Sequence, residues 1–145
     1  MKKYIVALLC SLFYSVASFS QSAGDKIIGI YLLNYEGHES KVKIFKYKDG
    51  YRVQNHWMKE PNLPDGTPIK DVNNPDKSKR NTPMTEVVFV DKLIYKDGEW
   101  CDGKIYDPVS GNFYNVKMKF DDDTTLHVKA GMWGLYPKSL YWKKL

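Results

Sequence analysis

The stretch DVNNPDKSKRNTP, Asp71 to Pro83, gathers side chains that could do chemistry. Asp71, Asn73, Asn74 and Asp76 crowd amide and carboxylate oxygens together, and Arg80 follows closely. A guanidinium fork matches carboxylate or phosphate geometry. One reading is therefore a lid or rim that presents these groups to the polar part of a ligand. The other is structural. Asn and Asp fold back on their own backbone, and Asn74-Pro75 initiates a turn. Arg80 would then pair with Asp71 or Asp76 to hold a loop shut, and the balance falls on this side because long ordered loops need such ties. Calcium is a third idea, with oxygens from Asp71, Asn73 and Asp76 and from Asp121, Asp122 and Asp123 elsewhere. The glycine that a calcium loop needs at its sixth position is replaced by Asp76, and no glutamate closes the loop, so no metal is expected.

Other reactive residue types lack partners at useful spacing. His38, His56 and His127 show no metal-ligand spacing. By strand parity, His56 shares a face with Arg52 and Gln54, and His127 with Lys129. Cys101 stands beside Trp100 and reads as a small core residue rather than a nucleophile. There is no G-x-S-x-G, no placeable carboxylate pair and no glycine-rich phosphate loop. No catalytic residue and no cofactor are therefore named, and the reading leans away from an enzyme.

The elements that must position these residues are strands. KVKIFKY (Lys41 to Tyr47) alternates charged and apolar side chains, KDG turns it, and YRVQNHW (Tyr51 to Trp57) returns. A second KDG precedes EWCDGKIYDP. The clearest hairpin is Gly103 to Phe120, where Asp107 and Pro108 open the turn and Gly111 supplies the residue that tolerates positive φ. After it Tyr114, Val116, Met118 and Phe120 share one face, with Lys117 and Lys119 on the other. Leu126, Val128 and Ala130 alternate with His127 and Lys129. IIGIYLLN and SLYWKKL supply first and last strands. The expected fold is all-β, an antiparallel meandering β-barrel of about eight strands. Lys59 to Pro83 is the exception, with five of the seven prolines. Proline cannot donate to a ladder, so this span is a long stiffened loop.

The chain has 145 residues and a formal charge of +5, of which Lys2 and Lys3 supply two. Met1-Lys2-Lys3, the apolar run Tyr4 to Ala17 and the small polar SFSQSAG have the order of a secretory signal peptide. Residues 1–20 are read as that peptide and 24–145 as one barrel domain. Export follows, to the periplasm or medium, with no stable membrane insertion. The rest keeps only Cys101 and so has no internal disulfide. The remaining charge alternates in sign, unlike the clustered basic stripe of a nucleic-acid binder.

Two blocks resemble a known family. The first is D-x-N-N-P-D with a following Arg: Asp71, Asn73, Asn74, Pro75, Asp76 and Arg80. The second is W-x-D-G-K-I-Y-D-P-x-x-G-x-x-Y: Trp100, Asp102 to Pro108, Gly111 and Tyr114. With Trp142 before basic residues, they look like the bacterial secreted family catalogued as the domain of unknown function numbered 2147. That resemblance implies a lipocalin-like, calycin-type barrel and no established activity. The family usually has tryptophan two residues after the first strand's glycine. Here Tyr31 stands there, after Gly29 and Ile30.

These readings combine into a non-enzymatic binder of a small, partly apolar or amphipathic ligand in a barrel cavity. Trp57, Trp100, Tyr106 and Tyr114 are candidate lining residues, and Asp71, Asn73, Asn74, Asp76 and Arg80 the candidate rim. A filled barrel that docks a protein or polysaccharide of the cell envelope through the 59–83 loop is the alternative. A hydrolase or isomerase at the mouth is a weaker one.

Overall fold

A computed structural model describes residues 23–145. The signal peptide reading, residues 1–20, lies outside them. The elements are β1 (Gly29–Tyr35), β2 (His38–Tyr47), β3 (Gly50–Met58), β4 (Val88–Lys96), β5 (Glu99–Asp107), β6 (Asn112–Phe120), β7 (Thr125–Gly131) and β8 (Lys138–Lys144). Each strand pairs antiparallel with the next, and β8 returns to β1 to close an eight-stranded barrel. Short turns carrying glycine join most strands, and the two KDG turns place Lys48 and Asp97 at positive φ. The expected all-β meander is present.

Chain direction gives the barrel two unlike ends. The turns at 48–49, 97–98 and 121–124 share one end with residues 24–28 and the C-terminus. The β1–β2, β5–β6 and β7–β8 turns share the other, the mouth, with the loop from Lys59 to Val87. The first end is packed shut. Ile27, Tyr31, Tyr51, Leu93, Trp100 and Met118 fill it with Val and Leu from neighbouring strands. Burial on this scale is the main stabilising term of such a domain.

Residues 24–28 fold under the closed end as a plug. Tyr31 Oη donates to Ile27 O at 2.8 Å, and Trp100 Nε1 donates to Gly24 O at 3.0 Å. Asp25 accepts from Tyr51 Oη at 2.7 Å and from Lys46 Nζ at 2.9 Å. The Tyr51 hydrogen bond, then Lys46, hold the Asp25 carboxyl below its ordinary range. Tyr31, where the family resemblance led one to expect tryptophan, is fully buried here. Among the described residues, the eight strands close the barrel around this core, with residues 24–28 as its plug.

The β1–β8 seam is narrow. It pairs Tyr31 with Lys144 and Leu32 with Lys143, near the closed end. Toward the mouth the two strands are joined instead by Lys138 Nζ donating to Tyr35 Oη at 2.9 Å.

Candidate ligand-binding cavity

The mouth half of the barrel is hollow. A cavity of about 680 Å³ opens there. Leu33, Phe89, Ile105 and Leu140 pack on the core below and line the cavity above, forming its floor. Met58, Ala130 and Trp142 line the wall, and Ile69 and Met84 reach in from the 59–87 loop. Polar groups in the lining are few. Asn55 is committed to the fold, its Nδ2 donating to Met84 O at 2.8 Å. Asp107 accepts from Val109 N at 3.0 Å and Ser110 Oγ at 2.8 Å within its own turn. Lys138 is the cation of the lining, and its hydrogen bond to Tyr35 raises its pKa. Trp142 keeps an indole N–H with no acceptor among the described residues.

The two sequence blocks meet each other beside this cavity. Asp71 is 1% exposed, and its carboxylate accepts from Tyr106 Oη and Asn74 Nδ2, each at 2.7 Å. Asn73 Nδ2 donates to Pro108 O at 3.2 Å and Val109 O at 3.0 Å, the β5–β6 turn. That turn approaches so closely that a Cβ on Gly111, at φ 74, would lie 2.3 Å from Asn73 O. The segment is also stitched to itself: Asp71 N donates to Thr82 O at 3.0 Å and Met84 N to Ile69 O at 2.8 Å. Burial first, and the Asp71 hydrogen bond second, push the Tyr106 phenol well above its ordinary pKa.

The candidate residues therefore divide. Tyr106 and Tyr114 line the cavity. Asp71 and Asn74 are buried in the tie, and Asn73 joins it to the hairpin. Asp76 accepts from Ser78 N at 3.0 Å and caps a short 3₁₀ turn. The expected ion pair of Arg80 with Asp71 or Asp76 does not form. Arg80 Nε donates instead to Asn74 O at 2.7 Å, while Tyr106 and Asn74 serve the Asp71 carboxylate. None of Asp71 to Arg80 lines the cavity, and neither do Trp57 and Trp100. Trp57 is 39% exposed beneath the Lys41 ammonium, and Trp100 belongs to the closed end. The loop edges the mouth through Ile69 and Met84, while its polar stretch does the tying.

The sequence did not single out His38, Met132, Leu135 and Lys138 as lining residues, yet they line the cavity together with Trp133. The run GMWGLYP, apolar where a turn should be polar, was the available signal. Cys101 is half-buried, and burial raises its thiol pKa, against a nucleophilic role. Among the described residues no three His, Cys, Asp or Glu side chains gather closely enough to hold a metal ion.

An eight-stranded antiparallel meander with one packed end and one hollow end is a lipocalin-like barrel. The chain belongs to the family described as "Uncharacterized protein conserved in bacteria (DUF2147)", which it matches over residues 29–144. It is similar to a solved structure titled "Protein HP1028 from the human pathogen Helicobacter pylori belongs to the lipocalin family". The two are 26% identical over 82% of each chain, with a TM-score of 0.66. No curated protein matches the chain.

Proposed function

We propose that this protein binds one small, largely apolar molecule in the mouth half of its barrel. The observation that carries the reading is the cavity itself. At about 680 Å³ it falls within the range of small-molecule sites. A floor of Leu33, Phe89, Ile105 and Leu140 favours an apolar body, and Lys138 and Tyr35 at the seam favour a polar or anionic end facing outward. The hollow interior removes the premise of a filled barrel acting only through its surface. The segment 1–20 supports export, which would place the ligand in the periplasm or medium.

Native mass spectrometry of protein recovered from a bacterial host without detergent tests this. Bound mass that leaves on denaturation, or stoichiometric uptake of the neutral dye N-phenyl-1-naphthylamine, is the expected result. Absence of both overturns the reading.

A further inference from the structure

The rim of the cavity carries an apolar surface that nothing among the described residues covers. Trp133 is 88% exposed, Leu135 70%, Val109 60% and Met132 45%. All four also line the cavity, so the apolar surface runs unbroken from the lip inward. They stand on the β5–β6 and β7–β8 turns. The second turn is held in shape: Leu135 N donates to Met132 O at 3.0 Å, and a Cβ on Gly131 would lie 1.8 Å from Leu135 O. A large ring at 88% exposure is costly to leave in water, and a turn that only joined strands would have no use for it.

The strands β6 to β8 beside this lip carry cations toward it. Lys117, Lys129 and Lys138 flank it, and residues 108–120 and 124–145 contain neither Asp nor Glu. Lys117 Nζ lies 4.4 Å from the Tyr136 ring centroid, and Lys138 Nζ 4.4 Å from that of Tyr35. Glu36 and Asp107 are the acids that act on Lys138. The Asp107 carboxylate is engaged in its own turn.

Exposed tryptophan and leucine flanked by lysines suit the boundary of an anionic bilayer. The apolar side chains enter between headgroups and acyl chains, and the ammonium groups meet phosphate. A second copy fits less well, because lip against lip would set these lysines against their own equivalents. We propose that the lip of Val109, Met132, Trp133 and Leu135 docks the barrel mouth-first on an anionic lipid surface, so that the cavity opens onto the bilayer. This goes beyond the ligand-binding reading and supplies a route by which an apolar molecule could enter without crossing water.

The test uses the protein recovered from a bacterial host without detergent and vesicles of phosphatidylcholine, with or without phosphatidylglycerol. The protein is expected to float with the anionic vesicles, less with the neutral ones, and less as salt rises. Trp133→Ser/Leu135→Ser should weaken binding by about tenfold or more, as should Lys117→Gln/Lys129→Gln. Quenching of tryptophan emission by brominated acyl chains should drop with Trp133→Ser. Thermal melts check that these exposed-site variants remain folded. No binding to anionic vesicles overturns the proposal, as does equal binding by the Trp133/Leu135 variant. Self-association lost in that same variant would instead assign the lip to a second copy. Dye uptake is read in parallel. Uptake without vesicle binding sinks the docking proposal alone, and vesicle binding without uptake supports docking while counting against the cavity reading.

Discussion

Replacing Tyr106 by Phe removes one oxygen and isolates the tie that fastens the long loop. The Tyr106 hydroxyl donates at 2.7 Å to Asp71, and the two residues are 3% and 1% exposed. A hydrogen bond to a carboxylate contributes about 1.5–3 kcal/mol, and a buried oxygen left without its donor keeps the desolvation cost. Asn74 alone would then serve that carboxylate. The expected destabilisation is about 2–3 kcal/mol, a fall in Tm of about 10 °C for a domain of this size. Urea melts followed by tryptophan fluorescence read the global value.

Hydrogen exchange locates the same effect. The amides of Asp71 and Met84 are bonded within the loop, and they should exchange faster, while those of β7 follow only the global change. Ile69 and Met84 would lose their fixed positions in the wall, so a bound dye should leave faster. A loss below about 0.5 kcal/mol, with unchanged exchange at Asp71 and Met84, would refute the view that this bond carries the tie.

Three further outcomes follow from the same geometry. Ala130→Phe puts a ring into the cavity wall, so dye uptake should be lost while the fold survives; retained uptake would mean the dye sits elsewhere. Gly98→Ala and Gly111→Ala both place Ala at positive φ, near 85° and 74°, but only Gly111 meets a backbone oxygen. Gly98→Ala should cost about 1 kcal/mol and Gly111→Ala about 1–3 kcal/mol more; equal denaturation midpoints would sink the close-approach argument. Burial raises the phenol pKa of Tyr31, Tyr51 and Tyr106 above the ordinary value near 10. Their folded pKa lies above the unfolded one, so this stability is complete below about pH 10 and is lost as pH climbs beyond it. In an ultraviolet phenolate titration these three should ionise only as the protein unfolds, and one reversible phase near pH 10 for every tyrosine would contradict it.

The fold was legible because period-2 alternation and glycine turns are local signals. Val116, Met118, Leu126 and Val128 are inward as their spacing required. His127 was legible too, lying outward and stacked on Tyr141. What the spacing hid were shifts of register. Asp102 at φ 60 interrupts the ladder between Trp100 and Gly103, and Cys101 beside it is half-buried rather than the core residue expected. The meeting of Asp71 with Tyr106 was hidden for another reason: it joins residues 35 apart, and nothing local says which carboxylate a buried phenol will find. Both blocks stood out in the sequence because each has to fit the other.

The cavity was the least legible feature, yet side-chain size writes it along the strands. On β1 the inward position falls from Tyr31 at the closed end to Leu33 toward the mouth. On β2 it falls from Ile44 and Val42 to Ser40, and on β7 from Leu126 and Val128 to Ala130 and Gly131. The rings of Tyr31, Tyr51 and Trp100 gather where residues 24–28 plug the barrel, while Ser40, Ala130 and Gly131 leave room in the half that stays open, between Phe89, Tyr106, Tyr114 and Trp142. Counting aromatics over the whole chain cannot show this, because packing depends on which end each ring occupies. Once the meander assigns every residue to an end, the same letters give a solid half and a hollow half. At the lip of the mouth Met132, Trp133 and Leu135 stand out into solvent. Those side chains do not fill the barrel, and that is why they call for a partner outside it.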